Sequence, residues 1–158
     1  MSEDKKALVM QAICDGFLSI AKDLGERDFS PQSDDQPIGQ DKIAVILSMI
    51  SEDESMRGRF LFEGDAAQIK DLAEGMNGET LSDRAEVFFS VGEFANMVCG
   101  KAVTVVNNAY KGTNFRLTPP AIFSGTNMEI TTPSVQSTEL KYSGPVGLVR
   151  IDVGFEGV

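Results

Sequence analysis

The sequence predicts an α+β fold in which an antiparallel sheet packs against long amphipathic helices. Three observations point to it. Helical and strand-like patterns are segregated rather than alternating, in the order helix, hairpin, helix, long helix, strands. Residues 43–62 read as two strand runs joined by a short turn. Each half of the chain opens on an amphipathic helix and continues into strands, which suggests two pseudo-two-fold related halves. The 158 residues are enough for one domain, 1–158, with a substantial core.

The elements follow in order. Over residues 4–24, Leu8, Ala12, Ile13, Phe17, Ile20 and Leu24 recur at helical spacing, and Gly25 can close the helix. Residues 26–41 are polar, contain Pro31, Pro37 and Gly39, and read as loop or short strand. Ile43–Ser51 is rich in β-branched residues, Glu52–Ser55 is a turn, and Arg57–Phe62 returns as the second hairpin strand. Asp65 with Gln68 resembles a capping box opening a short helix that runs to about Gly75. Asp83 with Glu86 is another such pair, and no proline follows until Pro119, so residues 83–111 can run as one helix with Gly112 as its stop. Phe115–Leu117, Ala121–Phe123, Met128–Thr131, Glu139–Tyr142 and Gly147–Phe155 are candidate strands, separated by Pro119-Pro120, Gly125, Pro133 and Gly144-Pro145.

The long helix has two faces. With Glu93 set at 0° and about 100° per residue, Val91, Ala95, Val98, Ala102, Val105, Val106 and Ala109 gather on the opposite side as the core stripe. Phe89, Glu93, Asn96, Met97, Gly100, Thr104 and Asn107 face outward, and Glu93 and Asn96, at i and i+3, stand side by side. A Glu and an Asn three apart on a solvated face are commonplace, and the bare spacing carries little. Glu74 and Asn77 form a second such pair, which is read as incidental. Gly100 is less expected, because an exposed mid-helix glycine costs about 1 kcal/mol relative to Ala. A flat spot there would let another backbone come close. Cys99 points about 120° away from Glu93 and is read as a buried thiol rather than a nucleophile. Met49, Met56 and Met76 are read as core or turn filler.

Composition narrows the chemistry. The chain has no histidine, which excludes His-based triads and His metal ligands, and its two cysteines cannot make a structural zinc site. Two cysteines are also too few for a disulfide framework and read as thiols in a reducing compartment. The net charge of −10 argues against a nucleic-acid partner. It is concentrated in residues 1–79, with 17 acidic and 8 basic residues; residues 80–158 have 7 and 6. The plain reading of this distribution is a solvated acidic surface; the functional one is that the half carrying Glu93 and Asn96 is kept nearly neutral because it meets an acidic partner. No run of about 18 apolar residues occurs, so no membrane span is expected, and a cytoplasmic location is the default.

Glu93-Phe94-Ala95-Asn96-Met97-Val98-Cys99-Gly100 resembles the E-x-x-N-x-x-x-G signature of the CheC/CheX/FliY chemotaxis phosphatase family. Phe60-Leu61-Phe62-Glu63-Gly64, with Met76-Asn77-Gly78-Glu79, resembles the segment before that helix. Leu117-Thr118-Pro119-Pro120-Ala121-Ile122-Phe123-Ser124-Gly125 resembles the strand with a PP…G turn that follows it. The likeness spans roughly residues 4–156. CheC-type members carry the motif on both pseudo-symmetric helices. Here the first helix offers only Asp15-Gly16-Phe17-Leu18, without the asparagine, so the pattern is closest to CheX.

The resemblance implies a CheX/CheC-like fold and hydrolysis of the aspartyl phosphate on a CheY-like receiver. It assigns Asn96 to orienting the attacking water and Glu93 to anchoring the receiver's lysine. No cofactor of the chain's own is implied, since Mg²⁺ is expected on the receiver. It also implies a homodimer that continues the sheet between subunits. Phe89 and Met97 are placed as partner contacts and Gly100 as clearance. A receiver-docking or flagellar-switch-like module without catalysis is the alternative, and an unrelated α+β protein the third possibility.

Overall fold

The computed structural model describes residues 2–130 and 136–157. The first helix, α1 (Glu3–Asp23), is capped by Ser2, whose hydroxyl accepts from the Lys5 N–H. It is followed by β1 (Ser30–Pro31) and the hairpin of β2 (Asp41–Ile50) and β3 (Met56–Asp65), paired antiparallel from Lys42↔Asp65 to Ile50↔Arg57. Next come α2 (Ala66–Asn77) and α3 (Arg84–Ala109), then β4 (Arg116–Leu117), β5 (Ala121–Thr126), β6 (Gln136–Ser143) and β7 (Leu148–Gly157).

All strands join one antiparallel sheet in the order β1-β6-β7-β3-β2-β4, with β5 also on β2. Exchanging the halves, β1 for β4/β5, β2 for β6 and β3 for β7, returns the same order reversed. The pseudo-two-fold therefore runs between the central strands β3 and β7, which pair from Met56↔Gly157 to Gly64↔Val149. Helices α1 and α3 are the matching helices. They lie antiparallel, because the Lys5 ammonium sits 4.9 Å above the Tyr110 ring while Gly16 lies against Val98 and Lys101.

The core forms between these helices and one face of the sheet. Phe17 of α1 is its hub, fully buried, with ring centroids 5.8 Å from Phe62 of β3, 5.8 Å from Phe94 of α3 and 4.8 Å from Tyr142 of β6. One aromatic from each of four elements thus fixes how the helices sit on the sheet. Ile43, Val45, Leu47 and Met49 of β2 and Val149, Ile151, Val153 and Phe155 of β7 alternate toward the same core.

Several elements differ from the sequence expectation. Asp65 and Gln68 do not form a capping box. The Asp65 carboxylate accepts instead from the N–H groups of Gly39 (2.5 Å) and Leu148 (2.8 Å). Gln68, fully buried, accepts from the N–H groups of Val146 (2.8 Å) and Gly147 (3.0 Å) and donates to Asp71 (3.3 Å). The pair serves the β6–β7 turn, because that turn's N–H groups would otherwise be left unpaired. Gln68→Ala is expected to destabilise the chain by about 2 kcal/mol, read as a lower midpoint with unchanged m in denaturant unfolding.

Helix α2 runs through Gly75 to Asn77 and is closed by Gly78 at φ 67. Gly75 is required by packing rather than as a stop: a side chain there would overlap the Gly25 carbonyl oxygen. Met128–Ile130 is not strand, and Thr131 lies outside the described residues. At Asn127 the backbone turns left-handed (φ 56), and the Met128 carbonyl accepts from the Lys42 ammonium at 3.2 Å. Val105 and Ala109, expected in the core, are exposed. At that end α1 meets the end of α3 through Lys5, whose ammonium lies over the Tyr110 ring and donates to the Thr113 hydroxyl at 3.0 Å.

Candidate functional site

Helix α3 starts where sequence chemistry says it should. Asp83 is the N-cap and its carboxylate accepts from the Ala85 N–H at 2.9 Å. The capping box expected with Glu86 does not close: the carboxylate's bond goes to Ala85 rather than to Glu86, and the Glu86 side chain is exposed with no bond back to Asp83 among the described residues. The helix ends at Ala109, with Gly112 at φ 92 in the following turn. Its core side is Val87, Val91, Phe94, Ala95, Val98, Cys99, Ala102 and Val106. Burial pushes the Cys99 thiol pKa far up, which removes it as a nucleophile at neutral pH.

The five sequence-predicted site residues share the opposite face. Phe89, Glu93, Asn96, Met97 and Gly100 lie within about 60° of Glu93 on the helix wheel. Phe89 is 71% exposed among the described residues, a large apolar side chain turned outward. Glu93 is exposed, Asn96 half-buried, and Met97 half-buried with its inner side on the core. The hydrogen-bonding side chains of α3 are Asp83, Ser90, Lys101, Thr104 and Asn107; among the described residues neither Glu93 nor Asn96 is engaged. A carboxylate and a carboxamide are thus free to act on something outside the chain.

Gly100 separates from the other helical glycines by what surrounds it. A methyl at Gly92 would come within 3.1 Å of Ile122, and one at Gly16 within 3.6 Å of the Val98 carbonyl, but among the described residues one at Gly100 meets nothing within 4 Å. The chain's own packing does not call for glycine there. Thr104, one turn on, donates from its hydroxyl to the Gly100 carbonyl at 2.9 Å.

The neighbouring polar residues have other work. Asn107, read from the wheel as part of the outward face, clamps the Phe115 backbone: its Oδ1 accepts from the Phe115 N–H at 2.8 Å and its amide donates to the Phe115 carbonyl at 3.2 Å. Asn77 donates to the Ala73 carbonyl and the Ser90 hydroxyl, both at 2.7 Å, and Glu74 accepts from the Leu81 N–H at 2.8 Å. That second Glu/Asn pair is structural. On α1 the matching position is unbuilt. Asp15 accepts from Gln11 at 2.9 Å, Gly16 is packed against α3, and Leu18 rests on the core with no amide in its place.

The site is a convex helix face. Cavities of about 290 Å³ beside Asp83 and about 530 Å³ between α1 and the β6–β7 hairpin lie away from it. A convex, half-polar ridge with one exposed aromatic fits a macromolecular partner better than a small molecule. No group of three or more His, Cys, Asp or Glu residues is placed to hold a metal ion among the described residues. No helix there is long and apolar enough to cross a membrane.

Residues 46–142 match the family model described as Chemotaxis phosphatase CheX. The fold is similar to that of the chemotaxis protein CheX from Vibrio vulnificus (TM-score 0.79, 22% identity, covering 94% of this chain and 96% of that one). It is equally similar to a CheC-like superfamily protein from Shewanella sp. PV-4 (TM-score 0.78, 24% identity, 99% and 100% covered). A third likeness is to the CheX–CheY–BeF3–Mg²⁺ complex from Borrelia burgdorferi (TM-score 0.75, 20% identity, 93% and 97% covered). No curated protein sequence matches the chain.

Proposed function

The chain belongs to the chemotaxis phosphatase CheX family, and from that premise we propose that residues 1–158 act as one CheX-like domain that hydrolyses the aspartyl phosphate of a CheY-like receiver. The observation that carries it is the pair of unengaged polar groups, Glu93 and Asn96, on an exposed helix face beside the open Gly100.

An acyl phosphate is already activated, so the phosphatase has little covalent chemistry to supply. The receiver brings its own Mg²⁺ and lysine. A carboxamide accepts from and donates to a water at once. Asn96 holds that water in line with the phosphorus, the part a glutamine plays in GTPases. Glu93 takes the receiver's lysine in a charge-assisted hydrogen bond and so sets the register of the two proteins. Phe89 and Met97 supply apolar contact on either side, and Gly100 lets the partner's backbone approach. A hundredfold acceleration asks for only about 2.7 kcal/mol, within what positioning provides.

The test is the lifetime of a phosphorylated receiver with Mg²⁺ and substoichiometric chain. Faster decay with many turnovers per chain is expected. Binding with an unchanged lifetime would leave a docking module instead. Gly100→Ala is expected to stabilise the chain by about 0.5–1 kcal/mol in thermal unfolding, because Ala is the better helix former and the space is open. The same substitution should slow receiver dephosphorylation, since its methyl intrudes on the approach.

A homodimer and a cytoplasmic location are part of the same proposal. Strand β6 pairs with β1 only at Tyr142 and Ser143, so the outer edge of Ser137–Leu140 is open to a second copy among the described residues. Light scattering reads the resulting mass.

A further inference from the structure

Gly92 and Asn96 are one turn apart on α3, so they look onto adjoining ground. That ground is the connection from β4 to β5. A methyl at Gly92 would lie 3.1 Å from Ile122 Cδ1, 3.5 Å from Pro120 Cγ and 3.8 Å from Ile122 Cγ1, so the connection is seated closely on the helix and Ile122 would have to give by a few tenths of an ångström to admit a side chain there. Two prolines fix its backbone φ angles. It is also held at both ends. The Thr118 N–H donates to the Ser48 carbonyl and the Ser48 N–H to the Thr118 hydroxyl, each at 2.9 Å, while β5 pairs with β2 from Ala121 onward. The result is a fixed ledge against one flank of α3, on the side where Asn96 is half-buried and away from which Glu93 is exposed.

We propose that this ledge, Pro120 and Ile122 seated on Gly92, is a positioning device for Asn96: it confines the carboxamide to the outward orientation in which it holds the attacking water. The proposal rests on the hydrolysis proposed above. Pro120 and Ile122 touch neither water nor receiver; they act through the helix and through the space left to Asn96. Their effect therefore belongs to kcat rather than to receiver affinity.

Two opposite perturbations test it. Pro120→Ala withdraws the ledge, and Gly92→Ala crowds it by a few tenths of an ångström. Each is expected to lower kcat for receiver dephosphorylation by about tenfold with KM unchanged, since misplacement by a fraction of an ångström is enough to do so. Adding Ile122→Val to Gly92→Ala removes the crowding Cδ1 and should restore kcat. Circular dichroism and affinity for beryllofluoride-loaded receiver are read on every variant. Unchanged kcat in the folded Pro120→Ala and Gly92→Ala chains overturns the proposal, as does a kcat loss matched by lost affinity or lost fold. Failure of the hydrolysis itself shows separately, as a wild-type chain that does not shorten the receiver's phosphate lifetime.

Discussion

Replacing Asn96 by Ala is expected to abolish the acceleration of receiver dephosphorylation, a loss of about a hundredfold, while the chain stays folded and still binds the receiver. The loss follows from chemistry. Alanine can neither accept from nor donate to a water, so the approximately 2.7 kcal/mol that positioning takes off the barrier disappears. The fold should survive because Asn96 makes no side-chain hydrogen bond among the described residues and is only half-buried. Alanine is also the better helix former, by up to about 0.7 kcal/mol. Activity and stability should therefore move in opposite directions. Thermal unfolding and a decay assay on the same preparation separate this from a variant that merely unfolds.

Arg150→Met is expected to destabilise the chain by about 3 kcal/mol without touching α3. The guanidinium lies on the face of the sheet opposite the helices. It donates to Glu63 at 2.9 Å and to Glu139 and Asp152 at 3.1 Å each. Burial works against its charge, but the three carboxylates outweigh that and hold its pKa above the ordinary arginine value. Glu63 is the vulnerable partner. Its side chain is 4% exposed, its Oε2 is buried without a hydrogen bond among the described residues, and its other cation, Lys42, stands 3.9 Å away. Without Arg150 a buried carboxylate is left nearly unpaired. Removing both charges, as Arg150→Met with Glu63→Leu, should recover most of the loss, since the pair's own desolvation cost goes with it. Urea unfolding of Arg150→Met, Glu63→Leu and the double variant beside the parent chain gives the double-mutant cycle. A near-neutral Arg150→Met would show the carboxylate satisfied by other means.

Much of this architecture is legible in the sequence because it is local. Periodicity marks α1 and α3, the β-branched run and turn at 43–62 mark the hairpin, and Asp83 marks where α3 begins. What escapes is long-range. Asp65 and Gln68 look like a helix cap, yet they serve Gly39 and residues 146–148, distant in the chain. Asn107 looks solvated until Phe115 folds back onto it. Gly92 carries no local signal at all, since its reason, the approach of Pro120 and Ile122, exists only in the folded chain. The outward face of α3 was readable as a face. Its separation from the structural Glu74/Asn77 pair needed the hydrogen-bond partners.

The most direct test of the central claim is a map of the surface that the activated receiver covers. Backbone amide shifts of the full chain, recorded on adding beryllofluoride-loaded receiver with Mg²⁺, should concentrate on Phe89, Glu93, Asn96, Met97 and Gly100. They should spare Gln11, Asp15 and Leu18 on the matching face of α1. A footprint on α1 or on the sheet face around Arg150, with α3 unperturbed, would contradict the assignment of Glu93 and Asn96 as the groups that meet the phosphorylated site.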